Sequence, residues 1–270
     1  MKNIKSEQED EALLYARLRD LLSQCSVGCD VYSEFLNPKE QFLASRFLEK
    51  QSGAKMPAFR FWGGYPQAER KILCLFSEDT WAWDELADKE SGDSCGQAPV
   101  AALSVRGSGF RALSHRDYLG ALLSLGLERR VIGDICILNQ TSAAVFLHIH
   151  ILTFVTQNLQ KVSADTVTVA PLESDAEIPE AKRFEMLTLT VASLRLDCIV
   201  SAVTGVSREK AKQMIVSGRV EVNFTPVYAP DFFVNADACL SVKGVGRFLF
   251  DGTTGSTKKG NARINIRKYL

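Results

Sequence analysis

The sequence has no Cys-x-x-Cys pair, no apolar run long enough to cross a bilayer, and no net charge, because 32 lysines and arginines balance 32 aspartates and glutamates. Seven cysteines stand at positions 25, 29, 74, 95, 136, 198 and 239. An odd number resists a complete disulfide framework, and Cys25 and Cys29 have no second pair at zinc-like spacing. Several cysteines lie in apolar segments, where the residue packs as a small hydrophobe. A reducing cytoplasm is therefore expected. The missing apolar run excludes a membrane-spanning helix. The N-terminus carries Lys2, Lys5, Glu7, Glu9, Asp10 and Glu11, unlike a secretory signal. No G-x-G-x-x-G loop follows a strand pattern, and there is no Walker motif or nucleophile elbow. A nucleotide or methyl-donor site is unsupported. We expect no catalytic residue, no metal ligand and no cofactor, and read the chain as not an enzyme.

What is present is an uneven charge. From Arg183 to Leu270 there are 13 Lys and Arg against 7 Asp and Glu; the rest of the chain holds 19 against 25. A basic C-terminal third on a neutral chain suggests that this end meets a polyanion. The acidic remainder argues against uniform coating of nucleic acid.

The most informative stretch is Ser193 to Asn223. Leu194, Leu196, Ile199, Val200 and Val203 recur at helical spacing, and Gly205 interrupts them. Ser207 suits an N-cap, since its hydroxyl can accept from an unpaired first-turn N–H. Ala211, Met214 and Ile215 then form an apolar stripe, and Gly218 suits the left-handed residue that ends a helix. Val220 and Val222 alternate with Glu221 and Asn223, as in a half-buried strand. Arg195, Arg208, Lys210, Lys212 and Arg219 crowd the polar faces. Spaced cations on a rigid surface match phosphates along a nucleic acid, where binding gains free energy from counterion release. A solvated charged helix is the alternative, because Asp197 and Glu209 sit among them.

Residues 1–52 read as helical, with breaks at Gly28 and Asn37-Pro38; Pro38 suits the first turn of a helix to about Lys50. A docking or cap role suits this part. Phe59 to Pro66 is an aromatic stretch ending in a turn, and Arg60 and Arg70 beside it could stack bases or sit on a packed edge. Lys71 to Phe76 reads as a strand, and Ser91 to Pro99 as a polar loop. From residue 100 the expected order is strand (100–105), helix (114–125), strands (131–138 and 142–148), helix (149–161) and strand (166–170). That β-α-β-β-α-β order is the ferredoxin-like one, also used by RNA-recognition domains. The central strands lack the paired exposed aromatics that stack bases there; Phe146 is the one candidate. His115, Arg116 and Asp117 do not converge on a helix, whereas Ser114 with Asp117 matches a capping box. Arg129 and Arg130 fit a surface turn or phosphate contacts. His148 and His150 have no nearby third ligand. Residues 171–182 are acidic and proline-bearing, as in a linker. Beyond Asn223, Phe232 to Val234 look strand-like. Arg247 to Phe250 and Ala262 to Lys268 look like two strands joined by a Gly/Thr/Ser loop with Lys258 and Lys259, either a cationic hairpin or a solubilising tail.

Two resemblances extend this reading. Arg195-Leu196-Asp197, Ser207-Arg208, Ala211, Ile215, Gly218, Val220, Asn223 and Asp237 fall in the order and spacing of the S4 RNA-binding domain, over roughly Leu187 to Phe250. The resemblance implies that the two helices and the following turn form an RNA-binding face, with Arg195, Arg208, Lys212 and Arg219 as contacts. Phe224 departs from the pattern, which commonly has Gly in that turn. The segment Leu113 to Ile135 resembles the YlmH family, bacterial proteins with a central domain like RNA-recognition modules and a C-terminal S4 domain. That implies an RNA-binding protein of the ribosome, in rescue of stalled large subunits carrying peptidyl-tRNA, and in some bacteria encoded near division genes.

The expected fold is α+β: an N-terminal helical segment (1–56), a central ferredoxin-like domain (57–171), a linker (172–182) and an S4 domain with a basic hairpin (183–270). The expected RNA-binding residues are Arg195, Ser207, Arg208, Lys210, Lys212, Arg219, Lys243, Arg247, Lys258 and Lys259. The expected partners are rRNA, tRNA and the large ribosomal subunit, with no membrane and a monomeric protein. An RNA-modifying enzyme targeted by its S4 domain, or a division-associated interaction protein, are the rivals. Charge reversal at Arg208 and Lys212 is expected to weaken RNA binding while sparing the fold.

Overall fold

The computed structural model describes residues 2–25, 30–51, 56–76, 99–173, 176–179, 184–257 and 260–270, with side chains in the first helix from residue 9. Helices and antiparallel sheets make up two compact units, Met1–Ala181 and Lys182–Leu270. Among the described residues no helix is long and apolar enough to cross a membrane.

The first unit begins with α1 (Lys2–Cys25), β1 (Val31–Leu36), α2 (Pro38–Lys50), β2 (Ala58–Trp62) and β3 (Lys71–Phe76). Asn37 and Glu40 close a capping box at the start of α2, with Pro38 in the first turn. The expectation of a purely helical N-terminal segment needs correcting. Val31-Tyr-Ser-Glu-Phe-Leu36 is rich in β-formers, is delimited by Gly28 and Pro38, and pairs antiparallel with β3. The sheet order β1-β3-β2 therefore crosses the expected boundary at residue 56. Leu14, Leu18, Leu48, Leu73 and Leu75 form its core with α1 and α2.

The same unit continues with β4 (Val100–Gly107), α3 (His115–Ser124), β5 (Ile132–Ile137), β6 (Ser142–His148), α4 (Leu152–Asn158), β7 (Lys161–Val162) and β8 (Asp165–Pro171). The sheet order is β5-β6-β4-β8-β7. The expected helix over 149–161 is shorter, because a 3₁₀ turn occupies Ile149–Ile151. Leu103, Val105, Tyr118, Leu122, Val145 and Leu147 join α3 and α4 to one sheet face. On the other face lie Cys136, Ala144 and Phe146, covered by Tyr65 and Ala68. The Tyr65 ring stacks on Phe146 at 4.7 Å. Gly64 has φ +95, and a Cβ there would lie 2.5 Å from the Phe146 ring, so the turn requires glycine. With both faces covered, every residue of β6 is buried.

The second unit comprises β9 (Phe184–Val191), α5 (Leu196–Thr204), α6 (Arg208–Val216), β10 (Val220–Val222), β11 (Thr225–Pro226), β12 (Ala238–Val242), β13 (Gly246–Ser256) and β14 (Ala262–Tyr269). Its antiparallel sheet has the order β11-β10-β12-β13-β14-β9. Ile199, Val200, Ala211 and Ile215 of the helices pack on Val220, Leu240, Phe248, Phe250, Ile264 and Ile266. Two features differ from expectation. β13 runs to Ser256 through register shifts at Gly252 and Gly255, so half of the expected Gly/Thr/Ser loop is bulged strand. Phe232 to Val234 form no strand: they follow a turn at Pro230 and Asp231, and their one ladder contact is the bridge from Phe233 to Arg195.

Candidate nucleic-acid interface

The helical face of the second unit is organised by a buried acid. Asp197, in the first turn of α5, has no exposed surface. Its carboxylate accepts from Arg208 Nη2 at 2.7 Å, from Arg195 Nε at 3.1 Å and from Arg195 Nη2 at 3.4 Å. Burial alone would raise its pKa; the hydrogen bonds from Arg208 and Arg195 outweigh that and hold the carboxyl below its usual value. The sequence delivers this geometry locally. Asp197 lies in the first turn of one helix, and Arg208 is the first residue of the next, after the left-handed Gly205. Each guanidinium stays partly open to solvent, with 38% of the Arg195 side chain and 52% of the Arg208 side chain exposed. The pair is thus held in a fixed orientation and still accessible.

The other expected residues separate into groups. Ser207 caps α6 by accepting from Lys210 N–H at 3.3 Å. Lys210 is exposed on α6, and Lys212 pairs with Glu209 at 3.4 Å. Arg219 and Lys243 come together where β10 meets β12: Lys243 N–H donates to Arg219 O at 2.9 Å, and Arg219 Nη2 donates to Lys243 O at 3.0 Å. Arg247 does not join them. It alternates with the core residue Phe248, so it lies on the sheet face turned away from the helices. There its guanidinium sits 5.7 Å from the Phe224 and Tyr269 rings. Phe224 takes a left-handed φ of +64 beside Asn223 at +49. Lys258 and Lys259 lie outside the described residues.

In the first unit Arg70, Arg129 and Arg130 are occupied by structure, whereas Arg60 is exposed with its guanidinium 5.6 Å from the Trp62 ring. Arg70 donates to the carbonyls of Ile132, Phe35 and Arg129. Arg129 Nη1 donates to Ile132 O and Gly133 O, and Arg130 pairs with Glu128 and Glu34. Asp134 accepts from Tyr65 O–H at 2.9 Å, Glu69 N–H at 2.6 Å and Arg70 N–H at 3.1 Å, fastening β5 to the segment before β3. Ser114 and Asp117 form the expected capping box. His148 is buried and its pKa falls to about 4, first because of burial and then because of His150, which stacks on it at 4.6 Å. Among the described residues no group of three His, Cys, Asp or Glu could hold a metal ion, and Cys25, Cys74, Cys136, Cys198 and Cys239 are buried.

One feature went unread in the sequence. Phe110, in the loop Gly107-Ser-Gly-Phe-Arg111 between β4 and α3, is 87% exposed. Its signal was a large aromatic among small residues at a strand end, with Arg106 and Arg111 flanking the loop.

The chain is similar to several known proteins. A family model described as "Putative RNA-binding domain in YlmH" matches residues 103–176. The "Ribosome-associated protein quality control protein P2" of Bacillus subtilis (strain 168) is 32% identical over 238 residues, which is 87% of this chain and 86% of that protein. A solved structure, "Cell division protein ylmH from Streptococcus pneumoniae", superposes with a TM-score of 0.48 at 13% identity, covering 63% of this chain and 95% of that one.

Proposed function

This chain belongs to the YlmH family, and we propose that it is a non-enzymatic, cytoplasmic RNA-binding protein of the translation apparatus, acting on large ribosomal subunits that carry peptidyl-tRNA. In this reading Lys182–Leu270 is an S4-type domain and residues 99–171 form a ferredoxin-like domain. The strand order β5-β6-β4-β8 around two helices on one face supports the second assignment. The relative's name, with its mention of ribosomes and quality control, supports the setting.

The observation that carries the RNA reading is the Arg195–Asp197–Arg208 cluster. A buried carboxylate aims two guanidiniums outward, and Lys210 and Lys212 follow on α6. Guanidinium is suited to phosphate by its fork of donors, and fixing it beforehand lowers the ordering cost of contact. Arg219 and Lys243 supply a second pair of cations. Docking would be electrostatic and shape-based, on structured rRNA or tRNA.

Filter binding to purified large-subunit rRNA across a salt series tests the reading. The variant is Lys210→Ala/Lys212→Ala/Lys243→Ala, none of which supports the core. We expect weaker binding at moderate salt and a log–log salt slope shallower by about 2 to 3, since each duplex phosphate contact contributes about 0.9. Unchanged affinity and slope would contradict the assignment of the face.

A further inference from the structure

We propose that the Phe110 loop is an RNA contact in which the ring stacks on an unpaired base. This rests on the RNA-binding reading above and gives the first unit a contact of its own. In RNA-recognition domains bases stack on the open sheet face. Here that face holds Phe146, which is 1% exposed beneath Tyr65, and neither ring can meet a base without unpacking. The stacking function therefore has to lie elsewhere if the matched domain binds single-stranded RNA.

Between residues 103 and 176 the rings of Tyr118 and Phe146 are buried, and two phenylalanines are exposed: Phe110 at 87% and Phe154 at 42%. Phe154 sits on α4, whose sequence LTFVTQN carries no cation. Phe110 has Arg111 beside it, Arg106 at the end of β4 and Arg116 in the first turn of α3, all exposed. Arg111 touches Asp117 at 3.5 Å and keeps 41% of its side chain exposed. An aromatic ring among cations is the combination that binds single strands, since every base has a stacking face and every linkage a phosphate.

The loop is built to display the ring. Gly107 N–H donates to Thr141 O at 2.7 Å and Leu113 N–H to Gln140 O at 2.8 Å, so both ends are tied to the β5–β6 turn. Ser108 Oγ donates to buried Asp165 and accepts from Phe110 N–H. A Cβ on Gly107 would fall 2.6 Å from Asp165 Oδ2, so the close approach requires glycine. Gly109, at φ +94, makes the turn that puts Phe110 outside. A ring presented on a tied loop meets a base with less ordering cost than one on a free tail.

The test uses the full chain and fluorescence anisotropy with two probes: a labelled oligouridine of about 20 nucleotides, longer than a typical single-strand footprint, and a blunt RNA duplex of equal length. Wild type is compared with Phe110→Ala and Phe110→Trp, after thermal melts confirm equal stability. The expected result is about tenfold weaker oligouridine binding for Phe110→Ala, recovery in Phe110→Trp, and duplex binding unchanged. Equal oligouridine affinity in Phe110→Ala and wild type would overturn the proposal, leave the S4 face intact as a reading, and direct the search to a protein partner for the loop. Loss on both probes alike, or no recovery with Trp, would overturn stacking. A wild-type protein that binds neither probe nor rRNA would overturn the RNA-binding reading itself.

Discussion

Asp197 has no exposed surface and three charged hydrogen bonds, so its removal should be felt both as lost stability and as lost orientation of Arg195 and Arg208. Breaking a fully buried ion pair costs about 3–5 kcal/mol. Here the arginines are half open and would rehydrate, which places Asp197→Asn nearer about 2–3 kcal/mol by urea unfolding. The pH dependence has a definite sign. The folded carboxyl titrates below the unfolded value of about 3.9, so its contribution is complete above that pH and is lost as pH falls through the folded pKa. The variant should lack this part of the acid unfolding curve, and a curve superimposable on wild type would refute the role. The burial was not legible beforehand, because Asp197 stands out in sequence as part of the Arg195-Leu196-Asp197 motif and as a charge on a helix, neither of which says that the acid is enclosed. Burial of an acid depends on the turn at Phe232 and Pro230, whose carbonyls accept from the backbone of Leu196 and Asp197.

At the scale of elements, α5 and α6 were the easiest to read and changed most in meaning. Their spacing, the Ser207 cap and the Gly205 and Gly218 breaks are all local signals, and all correspond to structure. The sequence expectation is that Arg208 and Lys212 are both exposed. In the structure Arg208 joins α6 to α5 through Asp197, whereas Lys212 reaches an exposed neighbour on its own helix. Charge reversal should separate them. Arg208→Glu sets a second carboxylate against a buried one and should melt clearly below wild type. Lys212→Glu should stay within about 0.5 kcal/mol. Equal melting of both variants would show that the Asp197 contact carries no weight, and Arg208→Glu is accordingly unfit as a clean binding mutant. β1 was missed for the opposite reason. Six residues between two helices give too short an alternation to stand out, and the partner that fixes them, β3, lies some forty residues on.

At the scale of the molecule, the charge asymmetry pointed to a polyanion partner and the motif from Leu113 to Ile135 carried the family resemblance, while their structural meaning needed the fold. Much of that motif serves as framework: Ser114 and Asp117 cap α3, Tyr118 and Leu122 fill the core, and Arg129 and Asp134 bind backbone groups. The recognisable sequence is thus largely the part that builds the first unit. The proposed RNA contacts lie in exposed cations and one exposed ring, where no packing constraint marks them. The central claim is that this chain docks on the large ribosomal subunit through the cations of its second unit. Co-sedimentation with 30S, 50S and 50S–peptidyl-tRNA particles at two salt concentrations tests it most directly, with wild type beside Lys210→Ala/Lys212→Ala/Lys243→Ala. The account predicts salt-sensitive pelleting with 50S, strongest with peptidyl-tRNA and much reduced in the variant. Pelleting with no particle, or equal pelleting of both proteins, would contradict it.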